Sequence, residues 1–438
     1  MSNFETSYQG TDKGSGMRIP ERMQRMVLRC VLRGLLLICG VVVLQGQQVS
    51  PNGIPTAPYI GATVQADIDV DVSRHLGDTV ADPGPRAQLS TATTAPSVHA
   101  AMKKVADWQL ARSVPYMDRN WAWSVLYAGF MAASRELNDF RYSDAMQAIA
   151  ERYHWELGAE APDRLGWPDS NDQMMGQTYL ELYSLKPDPA RILPTRKALD
   201  TLFDAKLPPV PDGQFNYTWW WIDSLFMAPG TLAHMGAVTH DNRYFSYLSE
   251  HWWEISDGLY DRNYHLFYQQ KAKMDQRDAA GKPIFWSRGN GWVMGAFART
   301  LEYLPKTDPA RPKFEAQFRE MAAEFASIQD PVTGLWHVDL LDAHDYPQPE
   351  VSGSALVVLG MAWGINHGVL DRKKYIPVVT KAWSGLVHEI YADGRLGNIQ
   401  QTDMQPNRYL PGSSFNYGVG GFLLAAEQVA HLNDPVQR

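Results

Sequence analysis

From about residue 98 onward, apolar residues recur at i, i+3, i+4 and i+7, the spacing of one helix face. Capping residues and turn-forming Gly and Pro cut this run into about twelve helices. The first members of successive pairs start near Val98, Phe140, Asp188, Asn242, Asp308 and Asp371; the second start near Trp121, Asn171, Trp219, Gly289, Val351 and Ser414. The second set recurs every 50 to 70 residues, which predicts six helical hairpins.

The two sets differ in kind. First members carry one charged face, as in FEAQFREMAAEFASI and ARILPTRKALDTLFDA, and are expected to meet solvent on one side. Second members are apolar or small nearly all round, as in WVMGAFARTLEYL, GSALVVLGMAWGI and YGVGGFLLAAEQVA. Such helices are buried on every side, and their Gly and Ala allow close backbone approach. Six exposed helices alternating with six buried ones predict an all-α fold, an (α/α)6 barrel whose inner ring converges on a central pocket. An open solenoid is the alternative. HLFYQQ, DPVTGLWHVDL and DGRLGNIQQ supply short strand and turn signals in the longer loops, expected on the rim where inner helices begin.

Upstream the pattern is different. Gly34 to Gly46 is an apolar run behind Arg18, Arg22, Arg25, Arg29 and Arg33. That layout reads as an export signal over 1–46, too short to span a bilayer comfortably, with cleavage after Gly46 and an uncleaved N-terminal anchor as the alternative. Residues 47–97 are rich in Pro, Gly, Ala, Ser and Thr and read as an extended arm, with alternation at Thr63 to Val72. The catalytic domain is expected over 98–438. Only Cys30 and Cys39 are present, both inside the signal, so an exported mature chain would use neither thiol catalysis nor cysteine metal sites. The formal charge of −8 is spread along the chain and leaves no basic footprint for nucleic acid, so an anionic ligand must be held by a few local cations. No stable membrane insertion is expected after signal cleavage.

Polar and aromatic residues at the starts of the inner helices point at one volume. Asp172 in PDSNDQ presents a carboxylate there or caps its helix. Asp223 stands two residues after the triple Trp219-Trp220-Trp221, ahead of an apolar run, where an unpartnered carboxylate is costly to desolvate. Arg288 is bracketed by Trp286 and Trp292 in a Gly-rich turn; it can stack and still offer its donor fork to a carboxylate, or it can close an internal ion pair. Glu350 to Ser354 and Asn416-Tyr417-Gly418 open the last two inner helices, where they either add polar contacts to the pocket or serve capping and close packing, the favoured reading. His337, Asp339, Asp342, His344 and Asp345 invite a metal reading, but their spacing matches no standard zinc or calcium pattern.

Taken together these motifs resemble the unsaturated uronyl hydrolases of glycoside hydrolase families 88 and 105, from about Val98 to the C-terminus. The shared words are WxDxLFMAP (Trp221 to Pro229), LFY (Leu266 to Tyr268), FWxRGNGWVMG (Phe285 to Gly295), ExSGSA (Glu350 to Ala355) and NYGxGxFLLA (Asn416 to Ala425). The resemblance implies an (α/α)6 barrel and a hydrolase. Its substrate would be the 4,5-unsaturated uronic acid that lyases leave at the non-reducing end of oligosaccharides, such as rhamnogalacturonan fragments, and it would act by hydrating the vinyl ether. It implies Asp223 as acid and then base, Asp172 as the second pocket carboxylate, Arg288 on the uronate carboxylate, and Trp221, Trp286 and Trp292 as walls. Tyr268 and Gln269 are implied substrate contacts, and no cofactor or metal is implied. Two positions depart from the family's best-known members. Gly213 to Tyr217 stand where a His often precedes the WxD motif, and Gln269 replaces a His after LFY. Alternatives are an inverting glycosidase using Asp172 and Asp223 across a water, and a non-catalytic sugar-binding toroid.

Overall fold

A computed structural model of the chain describes residues 76–114, 116–158, 166–206, 209–210, 214, 218–402 and 406–436. All belong to one unit, Asp67–Arg438. The export-signal segment, the strand expected at Thr63 to Val72 and the departure at Gly213 to Tyr217 lie outside the described residues, Gln214 excepted.

The outer helices are α1 (Ala95–Ser113), α3 (Phe140–Arg152), α6 (Pro189–Asp200), α9 (Asn242–Leu259), α11 (Arg311–Ser327) and α13 (Arg372–His388). The inner positions are α2 (Trp121–Leu137), α4 with α5 (Ser170–Gln173, Met175–Leu185), α7 with α8 (Ser224–Met227, Pro229–Thr239), α10 (Ser287–Leu301), α12 (Val351–Asn366) and α14 (Asn416–Ala430). Two inner helices are therefore broken near their starts. In the second break Pro229, which has no N–H to donate, opens α8.

Burial separates the two sets as their sequences require. In α11 the buried residues Phe314, Phe318, Met321 and Phe325 form one stripe, whereas every residue of α12 is buried. Aspartates at Asp139, Asp188, Asp241 and Asp371 cap the outer helices α3, α6, α9 and α13 with their side chains. Each inner helix packs on the next, α2 on α5, α5 on α8, α8 on α10, α10 on α12 and α12 on α14, and α14 packs back on α2. The ring is closed, so the solenoid alternative does not hold.

Closure needs close backbone contact. A Cβ on Gly129 of α2 would stand 2.8 Å from the Gly420 Cα of α14, and one on Gly291 of α10 would stand 2.7 Å from the Gly353 carbonyl of α12. Starts meet starts and ends meet ends. Trp121 touches Tyr417 at one pole, while Arg135 meets Glu181 and Glu427 at the other, so the inner helices run parallel.

From Gly77 onward the stretch read as an arm is built onto the barrel. Strand β1 (Gly77–Val80) pairs antiparallel with β4 (Gly412–Phe415), directly before α14. Arg112 and Arg395 both bind Asp78 and hold β1 there. A second hairpin, β2 (Tyr260–Asp261) with β3 (Leu266–Phe267), forms in the rim loop before α10.

Candidate active site

Three loops frame the start of α10. Asn290 acts as a strand partner for β3: its Oδ1 accepts from Phe267 N at 2.7 Å and its Nδ2 donates to Phe267 O at 2.9 Å. The chain then runs through Tyr268 to Gln269, whose carbonyl accepts from Ile222 N at 3.0 Å. Asn290 is thus tied through β3 to the residue beside Asp223. On the other side Ser287 N donates to Val338 O at 2.8 Å and Leu340 N to Phe285 O at 2.9 Å, fixing the Phe285–Ser287 segment.

Asp223 stands at the N-terminus of α7 and its side chain makes no capping hydrogen bond. It is 7% exposed. Asp172, by contrast, belongs to a capping box: Asp172 N donates to Asp169 Oδ1 at 3.0 Å, and Asp169 N to Asp172 Oδ2 at 3.4 Å. Capping and presentation to the pocket are compatible here, because Asp172 lies at the third position of a helix start beside α7. Ser170 and Ser224 are joined by a 3.0 Å hydrogen bond, which brings the segments carrying the two carboxylates side by side. The Gly289 Cα approaches both Ile222 and Trp286, with room for no Cβ: one would stand 3.0 Å from Ile222 Cγ2 and 2.6 Å from Trp286 Cε3. Asp223 and Arg288 therefore flank one contact.

The Arg288 guanidinium lies between two rings, 4.5 Å from the Trp286 centroid and 4.8 Å from that of Tyr417. Its Nη1 donates to Gln400 O at 2.7 Å and its Nη2 to Gln401 O at 3.3 Å, while Nε has no hydrogen-bond partner among the described residues. Among the described residues no carboxylate forms an ion pair with it. Among the described residues the guanidinium is thus held by backbone carbonyls and rings rather than by the internal ion pair that was the alternative.

The aromatic residues fall into two layers. Trp221, half-buried, stacks on Trp220 at 4.5 Å and 15°. Trp292 is fully buried among Trp121, Phe226 and Tyr417 and backs the wall from beneath. Trp286 is buried and Tyr268 nearly so, with the Tyr268 hydroxyl donating to Asp261 Oδ2 at 3.1 Å. Sequence reasoning missed two residues. Trp121, half-buried at the start of α2, stacks on Tyr417 at 5.3 Å; its place as the first residue of an inner helix was the available signal. Gln400 had no signal beyond lying in a rim loop.

The five residues with metal-like composition do not form one cluster. His337 faces Asp330 at 3.4 Å, and Asp342, His344 and Asp345 gather at the surface, with the His344 side chain 96% exposed. Asp339 is separate and fully buried, and its Oδ1 accepts from Leu341 N and Phe285 N. Burial raises its carboxyl to about 6, against these backbone bonds and with repulsion from Asp342 and Asp278. The folded state thus holds this proton more tightly than the unfolded chain. The resulting stability is present below about pH 4 and is lost as pH rises through about 6, an effect of about 3 kcal/mol. Denaturant unfolding of Asp339→Asn between pH 4 and 7 is expected to show a flatter pH dependence than the parent. An unchanged slope would assign it to other groups.

A helical toroid whose inner-helix starts gather two carboxylates, a buried arginine and a wall of indoles is the architecture of a glycoside hydrolase. Residues 90–432 match the model of Glycosyl Hydrolase Family 88, and the chain belongs to that family. A curated relative, the unsaturated 3S-rhamnoglycuronyl hydrolase of Formosa agariphila, is 31% identical over 350 residues, 77% of this chain and 91% of that protein. Among solved structures, a family 88 glycosyl hydrolase from Bacteroides vulgatus has a TM-score of 0.69 at 28% identity, covering 77% of this chain and 99% of that one. A chain named as a polysaccharide lyase has a TM-score of 0.70 at 30% identity, covering 78% and 99%.

Proposed function

We propose that this hydrolase removes a 4,5-unsaturated uronic acid from the non-reducing end of lyase-generated oligosaccharides by hydrating its double bond. The observation that carries the reading is the joint placement of Asp223 and Arg288. An uncapping, nearly buried carboxylate stands one contact away from a buried cation that has no ion-pair partner among the described residues. A sugar with an alkene to protonate and a carboxylate to bind answers both. The name of the Formosa relative supports the same substrate class.

In this mechanism Asp223 gives its proton to C4 of the enol ether, and positive charge develops at C5 and the ring oxygen. Water adds to C5 while the Asp223 carboxylate takes a proton from it, which restores the acid. The hemiketal then opens to a ketone at C5, and the hemiacetal this leaves at C1 collapses to an aldehyde, freeing the neighbouring sugar with its hydroxyl. Asp172 orients the water and ring hydroxyls, Arg288 holds the uronate carboxylate, and Trp221 and Trp286 bound the ring, backed by Trp292. Tyr268 and Gln269 contact the sugar from the rim. The inner helices α7, α10 and α14 start without side-chain caps, and the partial positive charge of their first turns favours an anionic ligand.

The test follows ultraviolet absorbance while the enzyme acts on a panel of lyase digests from different uronate-containing polysaccharides. Hydration predicts loss of absorbance together with sugar release. Release at constant absorbance would favour an inverting glycosidase, and a gain of absorbance on an intact polymer would favour the lyase chemistry named for one similar structure. Export by the Gly34–Gly46 run belongs to the same proposal, and N-terminal sequencing of the mature protein checks it.

A further inference from the structure

We propose that Gln400 is a positioning residue that sets Trp286, Arg288 and Tyr417 and keeps the Arg288 charge uncompensated, so that the subsite selects acidic sugars. This rests on the assignment of Arg288 to the uronate carboxylate.

Gln400 is fully buried, and most of its polar atoms are engaged by the site. Its Oε1 accepts from Trp286 Nε1 at 2.8 Å. Its carbonyl accepts from Arg288 Nη1 at 2.7 Å and from the Tyr417 hydroxyl at 2.5 Å. One residue therefore fixes both rings of the guanidinium sandwich and the guanidinium itself. Its amide N donates to Glu350 Oε1 at 3.1 Å, and its Nε2 donates to Asn407 O at 3.2 Å.

Glu350 explains the electrical consequence. It is a fully buried carboxylate on the adjoining helix start, and a natural candidate to neutralise Arg288. Instead it is occupied by Ser352 N at 3.1 Å, the Ser352 hydroxyl at 2.5 Å, Gly353 N at 2.5 Å and Gln400 N. Its charge goes to the N-terminus of α12, and Gln400 stands between it and the arginine. Among the described residues Arg288 donates only to neutral carbonyls, which satisfy geometry without cancelling charge. A buried cation in that state is costly, and an incoming carboxylate relieves the cost. A neutral side chain at position 400 preserves this condition, and a glutamate there would abolish it.

The experiment compares Gln400→Glu with Gln400→Met by calorimetric binding of glucuronate and of an unsaturated uronate disaccharide, together with KM and kcat on that disaccharide. Thermal melts confirm that each variant is folded. Gln400→Glu is expected to weaken uronate binding about tenfold or more, with KM changing more than kcat. That deficit should shrink as pH falls from about 6 to about 4, the range in which the introduced carboxyl begins to take up a proton. Gln400→Met, which loses the Trp286 acceptor without adding charge, should lose less affinity and show no such recovery. Equal losses at every pH, or wild-type binding by Gln400→Glu, would overturn the proposal. The substrate reading fails separately: a wild-type protein that binds uronates but turns over no unsaturated disaccharide refutes that reading while leaving the Gln400 comparison decisive.

Discussion

Asp223→Asn is expected to lower kcat on an unsaturated uronate disaccharide by about a thousandfold or more while the disaccharide still binds. The substitution keeps size and one acceptor and removes only the exchangeable proton. No cap is lost, because the Asp223 side chain caps nothing. The fold should therefore survive, and a thermal melt of the variant checks this. Asp172→Asn is a useful contrast, since it disturbs the reciprocal bonds with Asp169 and should show in stability as well as rate. Near-normal turnover by Asp223→Asn would sink the assignment, and an inactive Asp172→Asn beside it would reverse the two roles.

The second large effect is expected far from the chemistry. At the pole where the inner helices end, Glu181 of α5 accepts from Arg135 Nη1 at 2.5 Å and also binds Arg299 Nη2. Arg135 continues to Glu427 at 2.9 Å, and Arg299 Nε donates to Gln177 Oε1 at 2.8 Å. Arg135, Glu181, Arg299 and Glu427 line a cavity of about 370 Å³. Burial alone would push the Glu181 carboxyl up, but the two guanidinium groups outweigh it and hold it at about 2. Glu181→Ala strips the mostly buried Arg299 of its carboxylate, while Arg135 reaches solvent and keeps Glu427, so the expected cost in denaturant unfolding is about 2–3 kcal/mol, below that of a fully buried pair. The sign with pH follows from the lowered carboxyl. Its stabilisation is present above the ordinary carboxylate range and disappears as pH falls from about 4.5 toward 2. Glu181→Gln should lose that part of the acid limb. Activity per folded molecule should stay at the parent level, and a matching fall in kcat would show that the two poles are coupled.

The fold was legible because periodicity is a local property. Trp121, Phe140, Asn242 and Val351 begin helices where the sequence placed them, and the contrast between charged and uniformly apolar helices reported which ring each joins. The breaks at Met174 and Ala228 were not read, although Pro229 was in plain view. Asp223 stood out as a candidate because a carboxylate after three tryptophans conflicts with local chemistry, and such conflicts are where sites are sought. Gln400 was not. Its meaning comes from Arg288, 112 residues away, and from Trp286, 114 away, and no pattern within a window of the chain encodes those contacts. The Arg135–Glu181–Arg299 group was hidden for the same reason, since its members lie on three different helices. Residues 337–345 show the same limit: His337 and Asp339 part from Asp342, His344 and Asp345, which stay together at the surface, and the sequence order does not tell the two sets apart.

The pairing of β1 with β4 and of α2 with α14 has a consequence for biogenesis. Asp172, Asp223 and Arg288 all leave the ribosome before Gln400, Tyr417 and the final inner helix have been synthesised to hold them. A nascent chain can form hairpins in order, but the ring stays open until α14 has been made and can pack on α2. Truncation upstream of Asn416 should thus yield a helical but inactive polypeptide, because α14 is the keystone between α12 and α2.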